Sequence, residues 1–263
     1  MSDKIELASA AVTLEGDGMT YWDKVALSRW GDYLTSIERR MVAQAIELAG
    51  APGSGIDMGC GSGRWSKLAA DKGWRMTCVD VDRESLAICQ RNIPKAVCLL
   101  GNPADNTIPC PTQSAGLLLC IEVAPVFDAD WFPSEAARVL GDGGILVAVA
   151  WNRSSWRGLA CCLKQRLVGR PCPIRFYKRS YADSKNLLTD AGFQMLYEEG
   201  LCWGPAGRTS NSVLVPLYVK LERLLQLNRR VAGSPWVVFI ARKEEVSQIS
   251  IQGKLRRKML SHI

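Results

Sequence analysis

The sequence predicts an α/β fold, a mostly parallel sheet covered by helices on both faces, and three observations predict it. From residue 52 onward, short apolar runs alternate with amphipathic segments at helical spacing. Gly59, Gly61 and Gly63 form a glycine-rich turn between the first apolar run and a helix that begins near Arg64. The second run ends in an acid, Asp80, about 20 residues past that turn.

The apolar runs place strands near Gly55 to Met58, Arg75 to Val79, Ala96 to Leu100, Ala115 to Ile121 and Gly144 to Trp151. Between the last two, Pro133 suits a first helical turn and Ala136, Ala137 and Leu140 give an apolar face. Gly141 to Gly144 are expected to end that helix. Beyond Trp151 the pattern loosens. Tyr181 to Ala191 reads as a helix stopped by Gly192, and Phe193 to Tyr197 as a strand. Pro216 opens a helix running to Leu227, and Trp236 to Ala241 is the last strand. The expected organisation is a helical cap over residues 1–50, one α/β domain over 51–243 with a basic segment at 152–182, and a basic tail at 244–263.

Composition narrows the class. Hydrophobic residues make up 48% and charged residues 22% of the 263, which suits a folded globular chain. The first 18 residues carry Asp3, Lys4 and Glu6 where a signal peptide would be basic and then apolar, so export is not expected. No apolar run reaches the roughly 18 residues of a membrane span, since Glu122 interrupts the longest candidate. The ten cysteines contain no CxxC pair, and the single histidine is His262. Small buried thiols in a reducing cytoplasm are the expected reading, with no metal implied.

The turn and the acid together point to a nucleotide cofactor. Glycines at 59, 61 and 63 let the backbone bend sharply and are expected to present its N–H groups to a ligand at the carboxyl edge of the sheet. Asp80 lies where an acid can hold ribose hydroxyls. The dinucleotide fingerprint GxGxxG needs a further glycine, but Arg64 or Ser66 occupies that position, depending on the glycine from which the count starts.

Asp57, Gly59, Gly61 and Gly63 match the D/E-x-G-x-G-x-G motif of class I S-adenosylmethionine-dependent methyltransferases, and the chain resembles their type 11-like small-molecule members. The resemblance covers residues 52–151 and implies a Rossmann-like, mostly parallel seven-stranded sheet. It implies S-adenosyl-L-methionine as cofactor, with Asp57, Gly59, Cys60, Gly61 and Gly63 on the turn. Asp80 would hold the adenosyl ribose and Val81 the adenine. Gly101 to Asp105 resembles an adenine-contacting segment, with Asn102 in place of the usual acid and Pro103 beside it. Ile121 and Glu122 would lie beside the methionine part. Residues 136–144 resemble AxRVLxPGG, with Asp142 where proline usually stands.

Related enzymes often place a histidine after the fourth strand, where this chain reads Glu122 to Val126 without one. Glu122 is the remaining acid or base, with cofactor contact or packing as its other reading. Asp128 is expected to start the following helix. Tyr21, Trp30 and Tyr33, with Trp22, either fold over the cofactor or pack as an aromatic face on the sheet. Trp151 is a further substrate-side candidate.

Eight basic residues, Arg153 to Arg179, precede the next acid, Asp183. They read as a solvated face or as the contact for an anionic acceptor. Leu159, Leu163 and Leu167 make the stretch amphipathic, which admits a lipid surface or a lipid-linked acceptor. Nucleic acid ranks below both, because no binding module accompanies the charge. The function expected is methyl transfer to a small molecule. The alternatives are a noncatalytic methyltransferase-like subunit and an NAD-type nucleotide binder. Oligomeric state is not readable from the residues.

Overall fold

The computed structural model describes residues 19–168 and 177–245. The basic tail beyond 245, Arg170 and Arg175 of the basic run, and residues 1–18 of the expected cap lie outside the described residues.

Two helices open the chain, α1 (Tyr21–Ala26) and α2 (Arg29–Leu48). Thr20 and Asp23 form a reciprocal capping box on α1, and the Ser28 hydroxyl accepts from the Gly31 N–H at 3.0 Å to start α2. Trp30, Leu34, Ile37, Met41, Val42, Ala45 and Ile46 recur along α2 at three- and four-residue steps, so one stripe of the helix is buried.

Strands and helices then alternate: β1 (Ser54–Met58), α3 (Arg64–Ala70), β2 (Arg75–Asp80), α4 (Arg83–Asn92), β3 (Val97–Leu100) and β4 (Ala115–Cys120). The short α5 (Ala124–Phe127) and α6 (Phe132–Val139) lead into β5 (Leu140–Trp151). Next come α7 (Trp156–Val168), α8 (Tyr181–Asp190), β6 (Phe193–Leu201), α9 (Val215–Leu224) and β7 (Trp236–Lys243). The seven strands form one sheet in the order β3-β2-β1-β4-β5-β7-β6, parallel through β5, with β7 antiparallel to both of its neighbours.

Alternation along the central strands divides the core into two layers. Leu117 and Leu119 of β4, Ile145, Val147 and Val149 of β5, and Val238 and Ile240 of β7 face α2, α3 and α4. Leu118, Cys120, Leu146, Ala148, Val237 and Phe239 face α5, α6 and α8. Both faces are covered, so these strands read as unbroken apolar runs in the sequence. β1 sits between β2 and β4, and the chain crosses from one side of it to the other. That reversal opens a crevice at the carboxyl ends of β1 and β4.

Two local expectations are corrected. Gly141 to Gly144 do not form a separate helix stop: Leu140 already pairs with Ala115, and a register shift lets these residues enter β5. Asp128 does not start α6, whose N-cap is Trp131; it caps the C-terminus of α5. In addition, β6 runs on to Leu201, beyond the stretch its sequence pattern marks, because β7 pairs with it along its whole length.

Asn152, fully buried after β5, is the junction of the second half. Its amide nitrogen donates to the Ala232 and Ser234 carbonyls at 2.8 and 3.0 Å, and its oxygen accepts from the Ser154 and Tyr181 N–H groups, both at 3.0 Å. Asn152→Ala orphans four backbone groups, and we expect a loss of about 3 kcal/mol or more, read as a lowered denaturant midpoint with an unchanged slope.

Candidate functional site

The tip of β2 is bonded directly to the turn that follows β1. The Val79 carbonyl accepts from the Gly59 and Cys60 N–H groups at 2.7 and 3.1 Å, and the Asp80 carboxylate accepts from Gly61 N–H at 2.8 Å and Asp82 N–H at 3.0 Å. Gly63 N–H donates to the Cys60 carbonyl. These N–H groups are therefore bonded within the protein, which corrects the expectation that the turn presents them to a ligand. The glycines instead permit positive φ and close approach. Gly59 has φ 72°, and a Cβ there would stand 2.4 Å from a Val123 methyl, whereas one at Gly61 would meet nothing within 4 Å.

A cleft of about 1440 Å³ lies against this turn. It brings together Gly59, Gly61, Asp80, Val81, Asn102, Pro103, Ile121, Glu122 and Tyr21, all singled out by sequence. Val81 is 61% exposed and offers an apolar wall to the cleft. Asn102 is braced, its oxygen accepting from Ala104 N–H at 3.1 Å and its amide nitrogen donating to Asp105 at 2.8 Å.

Other expected residues lie away from the cleft. Asp57 is buried beneath the turn, where it accepts from the Ser66 hydroxyl at 2.5 Å. Burial raises its pKa to about 8, the Cys78 sulfur adding to the effect and the Ser66 bond opposing it. Cys60 is also buried, and neither it nor Gly63 lines the cleft. Trp30 packs edge-on against Trp236, and Trp236 stacks on Trp151 with centroids 4.7 Å apart. The Tyr33 hydroxyl donates to Glu222 at 2.5 Å. For Trp30, Tyr33 and Trp151 the packed aromatic face is the arrangement present, capped by the Arg208 guanidinium 4.3 Å above the Trp151 ring.

Glu122 follows β4 at φ 61°, in the left-handed region, where a side-chain-bearing residue costs about 1–2 kcal/mol. Its buried Oε1 has no hydrogen-bond partner among the described residues. Burial pushes its pKa up to about 8, although Arg208 and Arg64 pull the other way. Glu38, buried on α2, is also raised, by burial and by the charge of Glu122. Asp128, expected from sequence to start a helix, is instead a further acid of the cleft. Asp128 is 4% exposed, its Oδ2 lacks a partner among the described residues, and burial raises its pKa to about 6. The fixed left-handed backbone at Glu122 and the turn after it aim α5 so that Asp128 reaches the cleft, which residue spacing does not signal.

The roof of the cleft includes Thr20, Tyr21 and Trp22. Asp23 fastens it: besides its capping bonds, it accepts from the Ser62 hydroxyl at 2.8 Å, and Arg64 stands 3.9 Å away.

Residues 56–148 match the family model described as a methyltransferase domain. This chain carries a methyltransferase domain. Solved structures share the fold. A possible histamine N-methyltransferase from Thermotoga maritima is 18% identical with a TM-score of 0.52, over 82% of this chain and 93% of that one. A geranyl diphosphate C-methyltransferase from Streptomyces coelicolor A3(2), in complex with Mg2+, geranyl diphosphate and S-adenosyl-L-homocysteine, is 14% identical with a TM-score of 0.58, over 84% and 82%. An S-adenosylmethionine-dependent methyltransferase from Mesorhizobium loti is 16% identical with a TM-score of 0.55, over 76% and 95%. No curated protein sequence matches the chain significantly.

The cofactor of this methyltransferase is S-adenosylmethionine, and the cleft residues fit it: an apolar wall at Val81, an acid at Asp80, and at Glu122 a buried carboxyl oxygen without a partner. Asp80→Ala removes the partner of Gly61 and Asp82, and we expect cofactor binding to vanish in calorimetric titration. Asp57→Asn, which keeps the buried shape outside the cleft, is expected to bind within a few-fold of wild type. Equal losses in the two variants would show that the burial distinction is not functional.

Proposed function

We propose that this enzyme methylates a small acceptor that enters beside Asp128 and Lys178, while Asp80, Val81, Asn102 and Pro103 hold the adenosyl end of the cofactor and Gly59, Ile121 and Glu122 its methionine end. The observation that carries the reading is the bonded turn. A pyrophosphate needs free N–H donors, and the Gly59, Cys60 and Gly61 N–H groups are held by Val79 and Asp80. An adenosyl sulfonium carries no phosphate and needs only a close, uncharged backbone surface. This disfavours the NAD-type alternative.

S-adenosylmethionine supplies an electrophilic methyl group on sulfur, so alignment of the acceptor can contribute on the order of 7–11 kcal/mol without further chemistry. Asp57, Cys60 and Gly63 support the turn from beneath. Residues 19–50 serve as the cap, of which Tyr21 and Trp22 roof the cleft and exclude water. The described residues of the 152–182 stretch contribute the acceptor side through Lys178. Within that basic run, Arg157 is committed to the Cys202, Gly204 and Ala206 carbonyls, and Arg179 to Asp130. Lys178, whose ammonium donates to the Asp128 carbonyl at 3.1 Å and to Asp130 at 3.4 Å, lines the cleft and is the cation nearest an entering anionic group. Asp128 is the acid placed to accept a proton from the acceptor, a role that also answers the noncatalytic alternative.

A lipid-linked acceptor is favoured by one separate observation. Trp156, Leu159, Leu163 and Leu167 of α7 are 43%, 61%, 58% and 78% exposed, beside Lys164 and Arg166. Such a face suits contact with the surface of an anionic bilayer. No helix among the described residues is long and apolar enough to cross a membrane. The free cysteines suit a reducing compartment such as the cytoplasm.

Two measurements test the reading. Glu122, at about 8, is largely protonated at neutral pH, and a cationic methionine ammonium beside it favours the carboxylate. S-adenosylmethionine binding should therefore release a proton, and affinity should rise with pH up to about 8. Calorimetry in buffers of different ionisation enthalpy reads this, and a heat independent of buffer would remove Glu122 from the methionine site. NAD serves as the control and should give no heat.

Asp128 must be ionised to accept a proton, so kcat/KM for the natural acceptor should climb as pH rises through about 6. Asp128→Asn should lower the rate about 10²–10⁴-fold with cofactor affinity intact. An unchanged rate and a flat profile would leave alignment alone as the mechanism.

A further inference from the structure

Four thiols from separate elements meet beneath the glycine-rich turn. Cys60 sits on the turn, Cys78 on β2, Cys89 on α4 and Cys98 on β3, and all four are buried. The sulfurs of Cys60, Cys78 and Cys89 lie within 4.8 Å of one another. Cys98 stands opposite Cys78 in the pairing of β3 with β2. The cluster lies hard against the turn, since a Cβ on Gly63 would stand 2.7 Å from the Cys89 sulfur.

Buried cysteine ordinarily packs as a small apolar residue, each among carbon neighbours. Here sulfur faces sulfur. The Cys78 sulfur also lies 3.2 Å from the Ser66 hydroxyl, which is bonded in turn to Asp57, so a polar second layer backs the cluster.

A tetrahedral thiolate site has metal–sulfur distances of about 2.3 Å, which puts its sulfurs roughly 3.8 Å apart. The Cys60, Cys78 and Cys89 sulfurs, already within 4.8 Å of one another, reach that spacing by small side-chain rotations, and Cys98, paired with Cys78 across β2 and β3, supplies the fourth donor. Soft sulfur donors in a closed apolar shell select zinc-class cations over magnesium or calcium, which require oxygen ligands.

We propose that Cys60, Cys78, Cys89 and Cys98 form a structural binding site for a thiophilic cation of the zinc class. The bound ion would fasten the turn to β2, β3 and α4, with the thiol protons released to solvent as the sulfurs bind. Because Cys60 stands between Gly59 and Gly61, occupancy of the site also sets how firmly the floor of the cleft is held. Sequence spacing gives no sign of this site, because ligands drawn one from each of four elements leave no CxxC signature.

The test uses the full chain, reduced and stripped with a chelator, then titrated with Co2+ followed by Zn2+. We expect one equivalent of Co2+ to give the intense thiolate-to-cobalt absorption of a tetrahedral sulfur site, one equivalent of Zn2+ to displace it, and zinc to raise Tm by several degrees. Cys110→Ser, outside the cluster, should keep the signal, and Cys98→Ser should weaken cobalt affinity at least tenfold. Cys78→Ala/Cys89→Ala should abolish the absorption. Absence of a thiolate band in the wild-type protein overturns the proposal whatever the folding of the variants. A band that survives in the Cys78→Ala/Cys89→Ala protein also overturns it, by placing the metal elsewhere, as on Cys161 and Cys162.

Discussion

The structure around the cleft depends on the attachment of the β2 tip to the turn after β1. Parallel pairing sets Met58 opposite Val79, which brings the Val79 carbonyl and the Asp80 carboxylate level with three successive N–H groups. An unpaired buried N–H costs about 1–3 kcal/mol, so this attachment decides whether a sharply bent turn is tolerable at the bottom of a cleft. It also fixes where the helix after the turn begins, and it leaves Asp80 oriented toward the cleft before any ligand arrives. A turn already satisfied internally has little to offer phosphate and much to offer a ligand recognised by shape.

Three buried carboxyls surround this arrangement, each raised by loss of solvent but in a different setting. Asp57 is enclosed under the turn and bonded to Ser66, so its raised value belongs to the scaffold. Glu122 shares its surroundings with Glu38 and two arginines, a balance that a cationic ligand can tip. Asp128 is offset by Lys178 and Arg179 and is raised least of the three, to about 6. Burial alone would make the three alike, and the neighbouring cations distinguish them.

The sheet was legible in the residues because its central strands are buried on both sides, leaving apolar runs such as Leu117 to Ile121 that interrupt the helical periodicity. The glycine turn and Asp80 were legible because both obey local backbone rules. Asp128 was not, because its place depends on the left-handed backbone at Glu122, a tertiary feature of a residue whose type disfavours it. Trp30 and Tyr33 read as ligand-facing or packed with equal force, and Trp151 as ligand-facing, since an aromatic ring with a polar tip suits either setting until its partners are known. Asn152 left no trace at all: a lone asparagine after a strand is ordinary, and its importance comes from four backbone partners distant in sequence.

Asp23 closes the end of α1 and also grips the Ser62 hydroxyl, so one side chain both starts the helix and pins it down on the floor of the cleft. A hydrogen bond to a charged group contributes about 1.5–3 kcal/mol, which adds to the packing of Val25 in holding α1 down. The cap is therefore tied to the glycine-rich turn through one carboxylate, so a change at Asp23 reaches the helix start and the turn together.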